Sequence, residues 1–115
     1  MDTGKSSEIK IIVDLNDKKI PEKINWLATD SSSPALQDTK AFLLSLWDPH
    51  YEEALRIDLW TKDMRMDEMN KFFFQTLLGL SETYLRASQD EAIANQMREF
   101  AYAFGEKVEV IQKKS

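Results

Sequence analysis

The sequence predicts an α+β fold, and three observations carry the prediction. Apolar residues alternate with polar ones over 8–15, 23–29 and 53–60, the period of half-buried strands. The C-terminal half repeats its apolar residues at helical spacing over 66–87 and 90–108. A break rich in serine, Asp30-Ser-Ser-Ser-Pro34, precedes a further segment at 34–47 that reads as helix.

The first strand places Ile9, Ile11, Val13 and Leu15 on one side, with Glu8, Lys10 and Asp14 on the other. Asn16-Asp-Lys-Lys19 is a turn, and Pro21 suits an edge or strand start because it has no N–H to donate. The second strand sets Ile24, Trp26 and Ala28 on one face, so the two strands form a hairpin. Ser33 is the expected N-cap of the 34–47 helix, with Pro34 at the position where a missing N–H costs nothing. Leu36, Leu43 and Trp47 make its stripe, and Asp48-Pro49-His50 ends it. The third strand has Leu55, Ile57 and Leu59 facing one way and Arg56, Asp58 and Trp60 the other.

Asp67 and Glu68 open the first long helix, where carboxylates meet the positive end of the helix dipole. Phe73 and Phe74 diverge by about 100° on a helix. One stripe runs Met69, Phe73, Leu77, Leu80 and Tyr84; a second runs Phe74, Leu78 and Leu85. This helix therefore needs cover on two sides. Ser88-Gln-Asp-Glu91 has capping-box spacing for the last helix, which repeats Ile93, Met97, Phe100, Phe104 and Val108.

The element order is thus β-β-α-β-α-α: two layers, a small three-stranded antiparallel or mixed sheet covered by helices. Residues 1–7 are a flexible arm, 8–111 one α+β domain and 112–115 a polar tail. The expected core is Ile11, Val13, Trp26, Ile57, Leu59, Phe73, Leu77, Phe100 and Phe104.

The 115 residues are 43% hydrophobic and 30% charged, an ordinary globular balance. A chain of this size encloses roughly two-thirds of the surface its unfolded form exposes. It has no cysteine, which removes disulfides, thiolate metal sites and thiol nucleophiles together. Met1 to Glu8 has no apolar core of signal-peptide length, and the apolar runs are too short to cross a bilayer. A cytoplasmic location and no membrane insertion are expected. The net charge of −5 argues against nucleic acid, whose binders carry a basic excess.

No constellation of residues points to catalysis, a cofactor or a metal. His50 is the only histidine; beside a helix-stopping proline and without a second histidine or cysteine, it reads as a loop residue rather than a general base. Gly4-Lys5-Ser6 imitates the end of a phosphate loop but lacks the glycine-rich lead-in. Glu52, Glu53 and Asp58, like Asp63, Asp67 and Glu68, have no calcium-loop spacing. Gly79, inside the long helix, either admits a close backbone or is a tolerated surface defect.

The most informative oddity is the reverse face of the sheet. Ile12, Leu27 and Trp60 lie there among charges, with Arg56 beside them. Such a group makes a candidate protein interface. The surplus apolar surface on the helices and this face favours a homo-oligomer, with a dimer the simplest closed form.

Several stretches are similar to the gliding motility protein GldC family. They are Ser7-Glu-Ile-Lys-Ile11, Ile20-Pro-Glu-Lys-Ile-Asn-Trp26, Ser45-Leu-Trp-Asp-Pro49, Leu55-Arg-Ile-Asp-Leu-Trp-Thr-Lys-Asp-Met64, Asp67-Glu-Met-Asn-Lys-Phe-Phe-Phe-Gln-Thr-Leu77 and Met97-Arg-Glu-Phe100. The resemblance covers nearly the whole chain and implies a cytoplasmic accessory protein of gliding motility, without catalysis. Its partners would be other motility or envelope-associated proteins. The competing reading is a small-molecule-binding module or an enzyme built on a pocket between sheet and helices.

Overall fold

The alternation that starts at Ile9 becomes a strand because it can put one apolar row against a partner. In the computed structural model, which describes residues 6–30 and 35–112, β1 (Ile9–Leu15) pairs antiparallel with β2 (Pro21–Ala28). The turn between them is built on Asn16. Its side-chain oxygen accepts hydrogen bonds from the N–H groups of Lys18 (2.8 Å) and Ile20 (3.0 Å), standing in for a backbone carbonyl. Lys19 takes the left-handed conformation, φ 62°.

Directly opposed residues of an antiparallel pair share a face. The register Ile9↔Ala28, Ile11↔Trp26, Val13↔Ile24 therefore makes one apolar face. Lys10↔Leu27, Ile12↔Asn25 and Asp14↔Lys23 make the reverse one. Leu15 lies opposite Pro21, so the extra residue of the bulge, Glu22, is on β2 and β1 stays regular. Ile24, on the central strand, is fully buried. β3 (Gln37–Thr39) adds to the other edge of β2, and Asn25 donates to the Asp38 carboxylate at 2.6 Å.

The segment 34–47 is not a helix. Its described part supplies β3 and then β4 (Ala41–Asp48), which pairs antiparallel with β5 (Glu53–Trp60) in a separate two-stranded sheet. Ala41-Phe-Leu-Leu-Ser-Leu-Trp47 is almost continuously apolar, and periodicity alone cannot tell a buried helix from a strand in such a run. Cross-strand pairing decides it: Phe42↔Leu59, Leu44↔Ile57 and Leu46↔Leu55 stack on one face. Asp48-Pro49 is then a hairpin turn instead of a helix stop. The Asp48 carboxylate accepts from the N–H of His50 at 2.8 Å and of Tyr51 at 3.4 Å, and Glu52 is left-handed at φ 55°.

The class is α+β as predicted, but the order is β-β-β-β-β-α-α. The expected Ser33 cap and Pro34 helix start lie outside the described residues. So do residues 1–5 of the expected arm and 113–115 of the expected tail.

The chain forms two compact units, one up to Met64 and one from Arg65 onward. The second is a helical hairpin of α1 (Met66–Ser88) and α2 (Glu91–Lys107). At the start of α1 the Glu68 carboxylate accepts from the Arg65 N–H at 3.0 Å. The Arg65 guanidinium grips Asp67 through two contacts of 2.9 and 3.1 Å. Gln89 ends the helix in the left-handed conformation, φ 59°, with its N–H donating to Leu85 O at 2.7 Å, a standard C-terminal device. The cap of α2 is Asp90 rather than Ser88. Asp90 accepts from the Ile93 N–H at 3.1 Å, while the Ser88 hydroxyl turns back to Tyr84 O at 2.8 Å.

Small residues make the helical seam: Ser81, Ala94, Ala101 and Gly105 are all buried. Phe74 closes it, its ring meeting Tyr102 edge-on at 5.9 Å. The enclosed residues therefore differ from the expected core. Among the described residues the buried ones are Ile24, Thr61, Phe74, Ser81, Ala94, Ala101 and Gly105. Ile11, Val13, Trp26, Leu59, Leu77 and Phe104 are half-buried, and Ile57, Phe73 and Phe100 are exposed. The seam of a helix pair is the surface the two helices share, and Phe73 and Phe100 lie outside it.

Candidate functional site

The apolar rows of the two sheets line one open cleft within the first unit. Ile9, Ile11 and Val13 of β1 supply one wall; Phe42, Leu44, Leu46, Ile57 and Leu59 of β4 and β5 supply the other. The space between them is about 570 Å³. Strand alternation explains the composition, since every second residue on each strand points the same way. The lining is hydrocarbon throughout, with no acid, base or nucleophile. Leu46, Leu55 and Ile57 are each more than half exposed.

A second open groove runs along the helical hairpin. Leu77 and Leu80 of α1 and Ile93, Met97 and Phe100 of α2 border a space of about 320 Å³. Phe100 is 62% exposed there, an unusual position for an aromatic ring of that size.

The four candidate interface residues fall into two pairs. Ile12 and Leu27 are diagonal neighbours on the charged face of the three-stranded sheet; Ile12 is exposed and Leu27 half-buried. Arg56 and Trp60 share the outer face of the two-stranded sheet, opposite Ser45 and Ala41. Trp60 is 54% exposed, and the Arg56 guanidinium lies 4.0 Å from Asp58. β5 pairs with β4 and not with β1 or β2, so the four do not make one patch on adjoining strands. Trp47 and Leu43 join the Trp60 face from β4, both exposed. On the expected 34–47 helix these two would share a stripe with Leu36; only pairing with β5 sets them on the face of Trp60.

His50 sits at the tip of the β4–β5 hairpin, exposed and edge-on to Tyr51 at 4.8 Å. It is not part of the cleft lining. Among the described residues no three histidine or acidic side chains gather as a metal site. A polar crevice lies where β5 ends, beside Glu22, Asp38, Lys40 and Asp63. There the buried Thr61 hydroxyl donates to the Asp63 carboxylate at 2.5 Å. That bond, helped by the charges of Lys40 and Lys62, holds Asp63 below the usual carboxylate range against a smaller opposing desolvation. The Thr61 N–H also donates to Lys40 O at 2.8 Å, which marks this crevice as a strand anchor. No helix among the described residues is long and apolar enough to cross a membrane.

Together these features define a small α+β chain whose most prominent sites are open apolar surfaces. The gliding motility-associated GldC-like family model matches residues 21–110, from the start of β2 to just past α2. The chain belongs to that family and is a gliding-motility-associated protein. No curated protein and no solved structure matches it.

Proposed function

We propose that the protein is a non-enzymatic cytoplasmic accessory of gliding motility that acts by binding other proteins. The observation carrying this reading is the open cleft between the sheets, lined only by hydrocarbon side chains. Such a lining offers burial and no reacting group. Each aliphatic side chain covered there contributes about 1.5–3 kcal/mol, which a protein partner collects over many residues at once. The charged rows around Ile12 and Arg56 would then set partner choice more than affinity. Self-association belongs to the same reading, because a second copy is the most available source of complementary surface.

The test is gliding itself, in a gliding bacterium whose own copy has been deleted. Leu46→Glu and Ile57→Lys place charges in the cleft at exposed positions, so the subunit should keep its fold. The expected result is unchanged circular dichroism with loss of colony spreading. Full spreading with both variants would overturn the proposal.

A further inference from the structure

We propose that β1 is a self-complementary edge, and that two copies of this chain join through it across a twofold axis at Ile12. This deepens the self-association reading above and rests on it.

The edge is identified by the backbone. Thr29 N–H donates to Glu8 O at 3.0 Å, and the register continues as Lys10↔Leu27, Ile12↔Asn25 and Asp14↔Lys23. In an antiparallel ladder the hydrogen-bonding residues alternate. The even-numbered residues of β1 thus turn their N–H and C=O groups to β2, and those of Ile9, Ile11 and Val13 point to the open side. Among the described residues no strand other than β2 pairs with β1. An uncapped seven-residue edge of this kind is a template for another strand.

Charge then selects the register. A second β1 must oppose outward-facing residues with outward-facing residues, which allows a twofold axis at residue 10, 11, 12 or 13. An axis at Lys10 sets lysine against lysine. An axis at Ile11 sets Glu8 against Asp14. An axis at Val13 makes no opposite-charge pair. An axis at Ile12 sets Lys10 against Asp14 of the second copy, twice, on either side of an Ile12–Ile12 contact. The same register puts Ile11 opposite Val13 and Ile9 opposite Leu15, so the apolar wall of the cleft runs on from one copy into the next. Both Ile9, 76% exposed, and Leu15, 53% exposed, are uncovered without it.

The other edges fit less well. β3 has three residues, and β4 carries a single charge, Asp48. β5 does have a symmetric Arg56–Asp58 arrangement, but those two already face each other on one strand. Its outer edge is also engaged at one end, where Lys62 N–H donates to Pro21 O and Lys62 pairs with Glu22.

Sedimentation of the full chain over a concentration series, at low salt, tests the proposal. The parent should reach twice its 13.4 kDa subunit mass. Lys10→Asp and Asp14→Lys each replace two attractive contacts by two repulsive ones, and should weaken the dimer about tenfold or more. Both positions are exposed, and circular dichroism checks that the variants fold. Mixing the two variants restores both ion pairs in a heterodimer, so the mixture should regain the parent's association. If the parent is a dimer but neither variant weakens it, the β1 assignment falls while self-association stands. If the parent stays at the subunit mass throughout, both fall.

Discussion

A Cβ placed on Gly105 would lie 2.7 Å from Cδ1 and 2.8 Å from Cε1 of Phe74, closer than carbon atoms can sit. Phe74 is buried in the helical seam, with Tyr102 against its ring, so it has little room to withdraw. Alanine gains about 1 kcal/mol over glycine in a helix interior, but overpacking a filled site costs about 1–3 kcal/mol. The overlap with a rigid ring should win. Gly105→Ala is therefore expected to lower stability, by up to about 2 kcal/mol once the helix-propensity gain is subtracted, read from denaturant unfolding.

Gly79 gives the opposite sign. Nothing lies within 4 Å of a Cβ built there, and the residue is inside α1. Gly79→Ala should raise stability by about 0.5–1 kcal/mol through helix propensity alone. A loss of stability in the same unfolding measurement would reveal a close neighbour at that position.

These glycines show where the sequence was legible and where it was not. The α1 and α2 helices and the β1, β2 and β5 strands were readable because their apolar periods are long and clean. The turn at Asn16 was readable from residue chemistry. The 41–48 strand was not, since Phe42-Leu43-Leu44 and Leu46-Trp47 satisfy either period and only pairing with β5 settles the matter. The helical seam was also missed. It consists of Ser81, Ala94, Ala101 and Gly105, and a search for large apolar residues passes over small ones. Of the site, the β1 and β5 walls of the cleft were visible as apolar rows; the β4 wall was lost with the misread helix.

The α2 cap yields a discriminating pair of variants. Asp90 accepts from the Ile93 N–H, satisfying a donor that the helix cannot. Asp90→Ala should cost about 0.5–2 kcal/mol. Ser88→Ala removes only exposed hydroxyl contacts and should cost less. Equal losses in thermal unfolding would return the cap to Ser88.

Acid should loosen the start of α1. The Arg65 guanidinium, donating to Asp67, holds that carboxyl below its ordinary value. A group with a depressed native pKa stabilises the fold above its unfolded value, about 3.9 for aspartate. That contribution is lost as pH falls through the lower native value. In Arg65→Ala the Asp67 titration, followed by NMR, should move up toward the ordinary value. An unmoved titration would show that the ion pair does not govern Asp67 in solution.

His50 and Trp60 are both exposed on the same β4–β5 hairpin, so neither holds the fold and any difference between them is functional. Surface substitutions of this kind usually change stability by no more than about 0.5 kcal/mol. His50→Ala should leave both unfolding and gliding as in the parent, since the imidazole touches Tyr51 at the turn and nothing in the cleft. Trp60→Ala removes a large ring from the face it shares with Trp47 and Leu43. Buried tryptophans are among the residues that dominate protein interfaces. The variant should unfold like the parent and yet reduce colony spreading in a complemented deletion strain. Loss of gliding with His50→Ala at unchanged stability would instead favour an enzyme using that histidine. Normal gliding with Trp60→Ala would leave the cleft, and not the outer face of β4 and β5, as the surface that partners use.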